Sequence, residues 1–419
     1  MAPRPDVTQH LVVVLNSLCG RFARAGDPVR NPGVLKPPRP WRAEVQPPRD
    51  LWGTGPRSRF RGLGRFGVEM PINVFADEVL TPGEGQIKAL ICVGGNPAVA
   101  FPDQRRVFAA LRALELTVVL DVTMTATARL AHYVFGCKLS LEKPGTSRTA
   151  EGQLDVPFAQ YTPAILHPDF DVIEEWEFFW GLAHRMRTPL QLEQGPLDID
   201  RKPTSDEYLD LTHRGSRVPL DEVRKYPGGR VFEPDRPVSV EPARSEAAAW
   251  RMNAAPPAVM EQLRAIRAEP SPDGRFTHRL VSRRMLEVYN STGEALPGLR
   301  RRYAYNPAFM HPADLDRIGV RPGDVVRIDS DHDFIYGVAQ ATTDVRPGVV
   351  SMAHARGGEP ELDGRVRTIG SSTARLVSVE RDFEPISGIP RQSAIPVNVR
   401  ALDPAELAAI AGDESAVAD

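Results

Sequence analysis

The segment from Ile87 to Thr127, IKALICVGGNPAVAFPDQRRVFAALRALELTVVLDVTMTAT, constrains the fold more than any other part of this 419-residue chain. Its hydrophobic pattern reads strand, turn, helix, strand. The run KALICVGG is apolar enough for a parallel strand covered on both faces, and it ends in Gly94-Gly95-Asn96-Pro97, where glycine lets the backbone approach a bound group closely. Apolar Val107, Phe108, Leu111 and Leu114 recur at helical spacing, and LTVVLD then predicts a second buried strand that ends in Asp121. Such a unit belongs to an open α/β sheet, whose ligands sit at the carboxyl ends of the strands.

Composition narrows the partners. A formal net charge of -2, with 42% hydrophobic and 25% charged residues, is ordinary soluble composition and exerts no global pull toward nucleic acid or anionic membranes. Cys19, Cys92 and Cys137 are scattered and odd in number, which argues against a disulfide framework and for a reducing compartment. No run approaches the roughly 18 apolar residues of a membrane-spanning helix. A cytoplasmic location with no membrane span is the expectation.

Along the chain, Thr8–Arg24 has a helical apolar face, and residues 27–70 read as an extended covering segment rich in Pro, Gly and Arg. Gly62, Gly64 and Gly67 mimic a dinucleotide loop, but no apolar strand precedes them and Pro71 closes any helix after them. Thr127–Val134 is predicted helical, Leu141–Gln153 an ordered polar loop, and Asp171–Arg187 a helix with Ile173, Trp176, Phe179, Trp180 and Ala183 as its core face. The following Pro-rich stretch carries short helical patterns in SEAAAWRMN and AVMEQLRAIR. From Phe276 the pattern changes to short strands separated by Pro-Gly turns, the signature of a small β-barrel. His332, between Asp331 and Asp333, reads as a solvated turn. The predicted architecture is a truncated α/β region over 1–190, a connecting region over 191–275, a barrel over 276–405 and a tail over 406–419.

Two segments resemble the molybdopterin oxidoreductase family, which includes formate dehydrogenases and dimethyl sulfoxide reductases. The first runs through GGNP, VVLDVTMTATARLAHYV and LEKPGTSRTAEGQ; the second is NPAFMHPADLDRIGVRPGDVVRIDS with VRPGVVSMAHARGG. The chain departs from the family at Ala131–Gly136 and at Thr149, where an Asn is common. The resemblance implies a partial doubly wound α/β domain followed by a double-psi-like β-barrel that binds molybdopterin guanine dinucleotide. It also implies that the four-cysteine iron-sulfur segment and the residue that ligates molybdenum or tungsten lie outside this chain, in an N-terminal half or an iron-sulfur-containing partner.

A pterin dinucleotide needs backbone donors, cations and groups that meet base edges. Gly94 and Gly95 permit close approach, Asn96 with Pro97 offers an amide at the turn, and Thr123 or Thr125 offers a hydroxyl to phosphate or ribose. Asp121 is a guanine acceptor by resemblance; by spacing alone it is a turn or capping acid. In the barrel, Arg284 and Asn290 resemble the family's cofactor-contacting segment, with His354, Gln392 and Ser393 as further contacts. None is assigned a catalytic or metal-ligating role. The implied function is the C-terminal portion of a molybdopterin-dependent oxidoreductase that acts on a small-molecule substrate once completed by its partner. A non-catalytic cofactor-binding or scaffold paralogue, and a decayed fragment, are the alternatives.

Overall fold

The strand–turn–helix–strand unit is present. The computed structural model of the protein describes residues 3–47, 55–268 and 274–415, apart from 287, 295 and 386. Strands Ala89–Val93 and Leu116–Asp121 pair in parallel, with Val93 opposite Leu120, and helix Gln104–Ala113 lies in the crossover between them. Val107, Phe108 and Leu111 on that helix bury against Ala76, Val79 and Ala98. Each such large side chain contributes on the order of 1.5–3 kcal/mol relative to exposure. The sheet's third strand begins at Tyr133, where a helix was expected; only a 3-10 turn at Ala128–Leu130 precedes it. Consecutive Tyr133, Val134 and Phe135 favour the extended backbone.

The edge strand Ala89–Val93 is not covered on both faces as its composition predicted. Strand residues alternate sides. Leu90, Cys92 and Val119 pack with Ala128 on one face; on the other, Val118 and Leu120 of the inner strand are buried, whereas Ile91 and Val93 of the edge strand and Leu116 remain 41%, 44% and 39% exposed.

The C-terminal region closes a six-stranded β-barrel. Its strands follow round the barrel in the order His278–Arg283, Val349–Ala353, Pro307–Met310, Phe334–Ala341, Val325–Asp329 and Ile395–Ala401. The first two are parallel, as are the third and fourth. Fully buried Leu280, Met310, Ile328, Ile335, Met352 and Val397 fill the interior. The intervening helix Pro312–Ile318 starts on Pro312, accepts a cap bond from Ala313 N at His311 Nδ1 over 3.1 Å, and stops at Gly319 with φ 68°. Glycine is favoured at that left-handed stop because it has no Cβ to clash.

Contacts divide the chain into two compact units, one of residues 1–13, 49–134 and 255–419, the other of 14–48 and 135–254. In the second, Val34 and Leu35 bury with Ala159, Leu220 and Val223, and the Glu151 carboxylate accepts from Val34 N and Leu35 N at 3.1 and 2.8 Å. The covering segment is thereby fixed through backbone groups that a Pro-rich sequence leaves without a helix or sheet partner. Helix Glu175–Met186 starts in a Glu174–Glu177 capping box. Of its predicted core face only Ala183 is buried; Trp176 stacks on Tyr208 at 4.6 Å and Trp180 on His184 at 5.2 Å. SEAAAWRMN makes one 3-10 turn at Ser245–Ala247, while AVMEQLRAIR lies within helix Pro257–Ala268. The Gly62–Gly67 segment forms turns closed by Arg57–Gly64 and Phe66–Glu69 bridges, without the strand and helix of a dinucleotide loop.

Within the first unit, the helices after the GGNP turn are joined to the barrel's long excursion over residues 354–394 by buried polar groups. Arg375, 1% exposed, donates from Nη1 to Asp363 at 2.6 and 2.8 Å and from Nε to Gln104 Oε1 at 3.0 Å. Gln104 Nε2 bonds Ala98 O and Gly358 O, and Ser372 Oγ donates to Val99 O at 2.6 Å. His332 lies in an exposed bend, as its flanking aspartates predict, and its Nε2 also lies 3.3 Å from Asp103 Oδ1, a hydrogen bond that holds its pKa above the usual histidine value. Arg375→Met leaves the half-buried Asp363 and the buried Gln104 acceptors without their donor, so it lowers the unfolding free energy by about 3 kcal/mol, to be measured by urea denaturation.

Candidate functional site

Parallel pairing decides where the candidate residues meet. Arg283 sits opposite Ala353 in the register of His278–Arg283 with Val349–Ala353, so both strands deliver their next residues, Arg284 and His354, to one end of the barrel. A recess of about 40 Å³ opens there, lined by Ser282, Arg284, Met285, Asn290 and His354 among others. Arg284 Nη1 donates to Asn290 Oδ1, and Asn290 has φ 55°, a left-handed conformation that asparagine tolerates better than most residues. Arg283, which also lines the recess, stacks its guanidinium on the Phe309 ring at 3.9 Å.

His354 carries the distinctive chemistry. Its Nδ1 is buried without a hydrogen-bond partner, a costly state for a polar atom unless something else meets it. Burial, with the positive charge of Arg284 added, pushes its pKa down to about 4. The ring is neutral near pH 7 and keeps one nitrogen able to accept. The recess thus presents a neutral imidazole nitrogen beside the Arg284 guanidinium.

Gln392 and Ser393 stand behind the recess. Ser393 Oγ accepts from Ser282 N at 3.1 Å, Ser282 Oγ donates to Gln392 O, and Gln392 Nε2 donates to Ala100 O at 2.8 Å. A polar chain therefore runs from the recess to the short helix Pro97–Ala100 that follows the GGNP turn.

The turn itself is already partly engaged. Gly94 takes φ 58° and donates to Leu120 O at 2.8 Å, and space lies open where a Cβ would stand. Asn96 Oδ1 accepts from Thr127 N at 3.2 Å and from Thr127 Oγ1 at 2.9 Å, which leaves the amide nitrogen as the free end of that side chain. Pro97 is buried at the first helical position. Asp121 Oδ1 accepts from Val122 N at 2.7 Å and Thr123 N at 3.3 Å, the turn role that spacing alone indicated. Thr125 Oγ1 accepts from Ala128 N at 3.2 Å, and Thr123 is exposed.

Sequence reading missed Ser282 and Met285 in the lining and Thr127 as the anchor of Asn96. Strand register exposes the first two; nothing local marks the third. Among the described residues, no cluster of three or more His, Cys, Asp or Glu side chains is arranged to hold a metal. Cys19, Cys92 and Cys137 form no disulfide among the described residues. No helix of the described residues is long and apolar enough to cross a membrane.

Residues 279–396 match the family described as "Molydopterin dinucleotide binding domain", and residues 58–185 match "Molybdopterin oxidoreductase". The chain is 24% identical over 279 residues to the NADPH-Fe(3+) oxidoreductase subunit alpha of Geobacter sulfurreducens, covering 65% of this chain and 28% of that protein. It is 23% identical over 286 residues to the F420-dependent formate dehydrogenase subunit alpha of Methanocaldococcus jannaschii, covering 66% and 39%. The solved structure of acetylene hydratase from Pelobacter acetylenicus superimposes with a TM-score of 0.60 at 17% identity, over 81% of this chain and 47% of that one. The chain thus spans less than half the length of each of these relatives and shares the fold of the matched part of the solved structure.

The His354 shift sets a pH dependence. Between the ordinary histidine value near 6.5 and about 4, the unfolded chain binds a proton that the native recess refuses, so stability falls as pH drops through that window. In urea unfolding at pH 7 and about 4.5, the native chain loses more stability on acidification than His354→Gln does.

Proposed function

We propose that this chain, a member of the molybdopterin oxidoreductase family whose two matched segments together span more than half of it, holds molybdopterin guanine dinucleotide between the Gly94–Pro97 turn and the barrel recess. In this reading it is the cofactor-binding part of a two-electron oxidoreductase whose front half is supplied by a partner. The observation that carries the reading is the buried, unpartnered His354 Nδ1 beside Arg284, inside the dinucleotide-binding domain.

Each residue's task follows from what its atoms have left to give. Arg284, oriented by Asn290, offers a planar fork to a phosphate or a pterin edge. His354, kept neutral, meets a polar ring edge. Gly94 and Gly95 admit a diphosphate close to the backbone, the Asn96 amide nitrogen and the Thr123 hydroxyl donate, and Asp121 presents its second carboxylate oxygen to guanine. Thr125, Gln392 and Ser393 act as positioning residues, because their polar atoms already hold the protein. When bound, the cofactor with its molybdenum or tungsten supplies the redox chemistry, and the protein supplies binding and orientation.

The bare outer part of the sheet supports the need for a partner. Parallel strands are ordinarily covered on both sides, and Ile91 and Val93, with Leu116 beside them, leave an apolar strip exposed at the open edge of Ala89–Val93. Two relatives are themselves named as alpha subunits. An α/β body carrying the iron-sulfur and metal-ligand segments is the partner that this stripe fits.

Co-expression with the polypeptide encoded immediately upstream, followed by pterin extraction, tests the assignment. Pterin is expected in the complex, reduced at least several-fold by Arg284→Ala; absence of any pterin overturns the reading. Retained pterin in a complete assembly without redox turnover favours the non-catalytic paralogue. Ile91→Lys with Val93→Lys is expected to abolish co-purification of the partner while leaving the barrel folded by circular dichroism.

A further inference from the structure

The second compact unit contains an open cleft of about 860 Å³ that the dinucleotide site does not use. Its volume falls in the range of clefts that take cofactor-sized molecules. One wall is the Pro-rich segment around Pro28 to Arg42, the other the loop around Arg148 to Asp155. Pro28, Pro32, Pro37 and Pro40 bar a helix there, and the wall is fixed in place all the same. Asn31 Nδ2 bonds Glu151 O and Leu154 O at 2.8 and 2.7 Å, Arg217 Nε bonds Gly33 O at 2.6 Å, and Arg148 Nε bonds Leu35 O at 3.1 Å. The cleft is preformed.

Its charges are uneven in a chain whose net charge is -2. Arg30, Lys36, Arg39, Arg42 and Arg148 line it against Glu151, Asp155 and Glu193. Glu151 is buried and held by two backbone amides, with Lys36 at 3.9 Å. Arg39 pairs with Glu193 at 3.5 Å, and Arg42 pairs at 3.0 Å with Glu241. That leaves Arg30, with no hydrogen-bond or ion-pair partner among the described residues, and both terminal nitrogens of Arg148, against the carboxylate of Asp155, which pairs with no cation of the cleft. Trp41, 53% exposed, adds a bare aromatic face to the same cleft.

Two free guanidinium forks recognise phosphate oxygens in pairs, and an exposed indole face stacks on a flat heterocycle. We propose that this cleft is a binding site for a small phosphorylated, ring-bearing molecule of the nucleotide class, separate from the recess in the barrel. Arg30 and Arg148 take the phosphates and Trp41 takes the ring.

The test uses the full chain, with ADP, pyrophosphate and sulfate as probes, followed by calorimetry and tryptophan fluorescence. ADP and pyrophosphate are expected to bind, with sulfate at least tenfold weaker. Arg30→Ala, a change at an exposed and unpartnered side chain, is expected to weaken both phosphate ligands about tenfold or more, the loss of one charge-assisted contact. Trp41→Ala is expected to weaken ADP and spare pyrophosphate. No binding by the native chain at millimolar ligand, equal binding by Arg30→Ala, or sulfate binding as tightly as pyrophosphate each overturns the proposal. Loss of ADP binding in Arg284→Ala in place of Arg30→Ala places the nucleotide in the barrel and also overturns it, without touching the cofactor assignment.

Discussion

The buried Arg375 guanidinium, shared between Asp363 and Gln104, is the interaction on which the first unit depends. A cation removed from water needs its charge met, and here Nε and Nη1 are met from two stretches of chain more than two hundred residues apart, while Nη2 is buried without a partner. Gln104 opens the helix after the GGNP turn, while Arg375 and Asp363 belong to the barrel's long excursion. Satisfying one buried charge therefore fixes the α/β segment against the barrel. The Ser372–Val99 and Gln392–Ala100 bonds extend the same seam toward the recess.

That seam explains the division of labour among the polar residues. Where the chain needs rigidity, side-chain atoms are already bonded inside the protein: Asn96 Oδ1 to Thr127, Asp121 Oδ1 to two backbone amides, Gln392 to Ala100. At the proposed cofactor site, atoms are left open: His354 Nδ1 and the face of the GGNP turn over Gly94. A residue type compatible with binding is thus not enough to propose a role; it must also have atoms not already bonded within the protein. The same accounting isolates Arg30 and Arg148 from the other cations of the second unit's cleft.

Local pattern was readable wherever a single element carries its own signal. The apolar runs at Ala89–Val93 and Leu116–Asp121, the helix between them and the Pro-Gly-punctuated barrel strands stand where periodicity placed them. Failures fell where a distant partner decides. Tyr133–Gly136 pairs into a sheet instead of continuing a helix, and the aromatic helix Glu175–Met186 buries little more than Ala183, because Trp176 and Trp180 find ring partners rather than a core. His332 is in the exposed bend its neighbours indicate, but its contact with Asp103, 229 positions away, left no local sign.

The sequence by itself determined the family, the order of α/β segment and barrel, and the residue types offered to a pterin dinucleotide, since these follow from motifs read within one stretch of chain. Tertiary structure decided which of those residues share a site and which are occupied in holding the fold. It also decided that a Pro-rich covering segment becomes the wall of a cationic cleft. The reason is physical: strand register, the burial of one arginine and the pairing of backbone groups are settled by contacts between segments far apart in sequence, whose free energy no local pattern records.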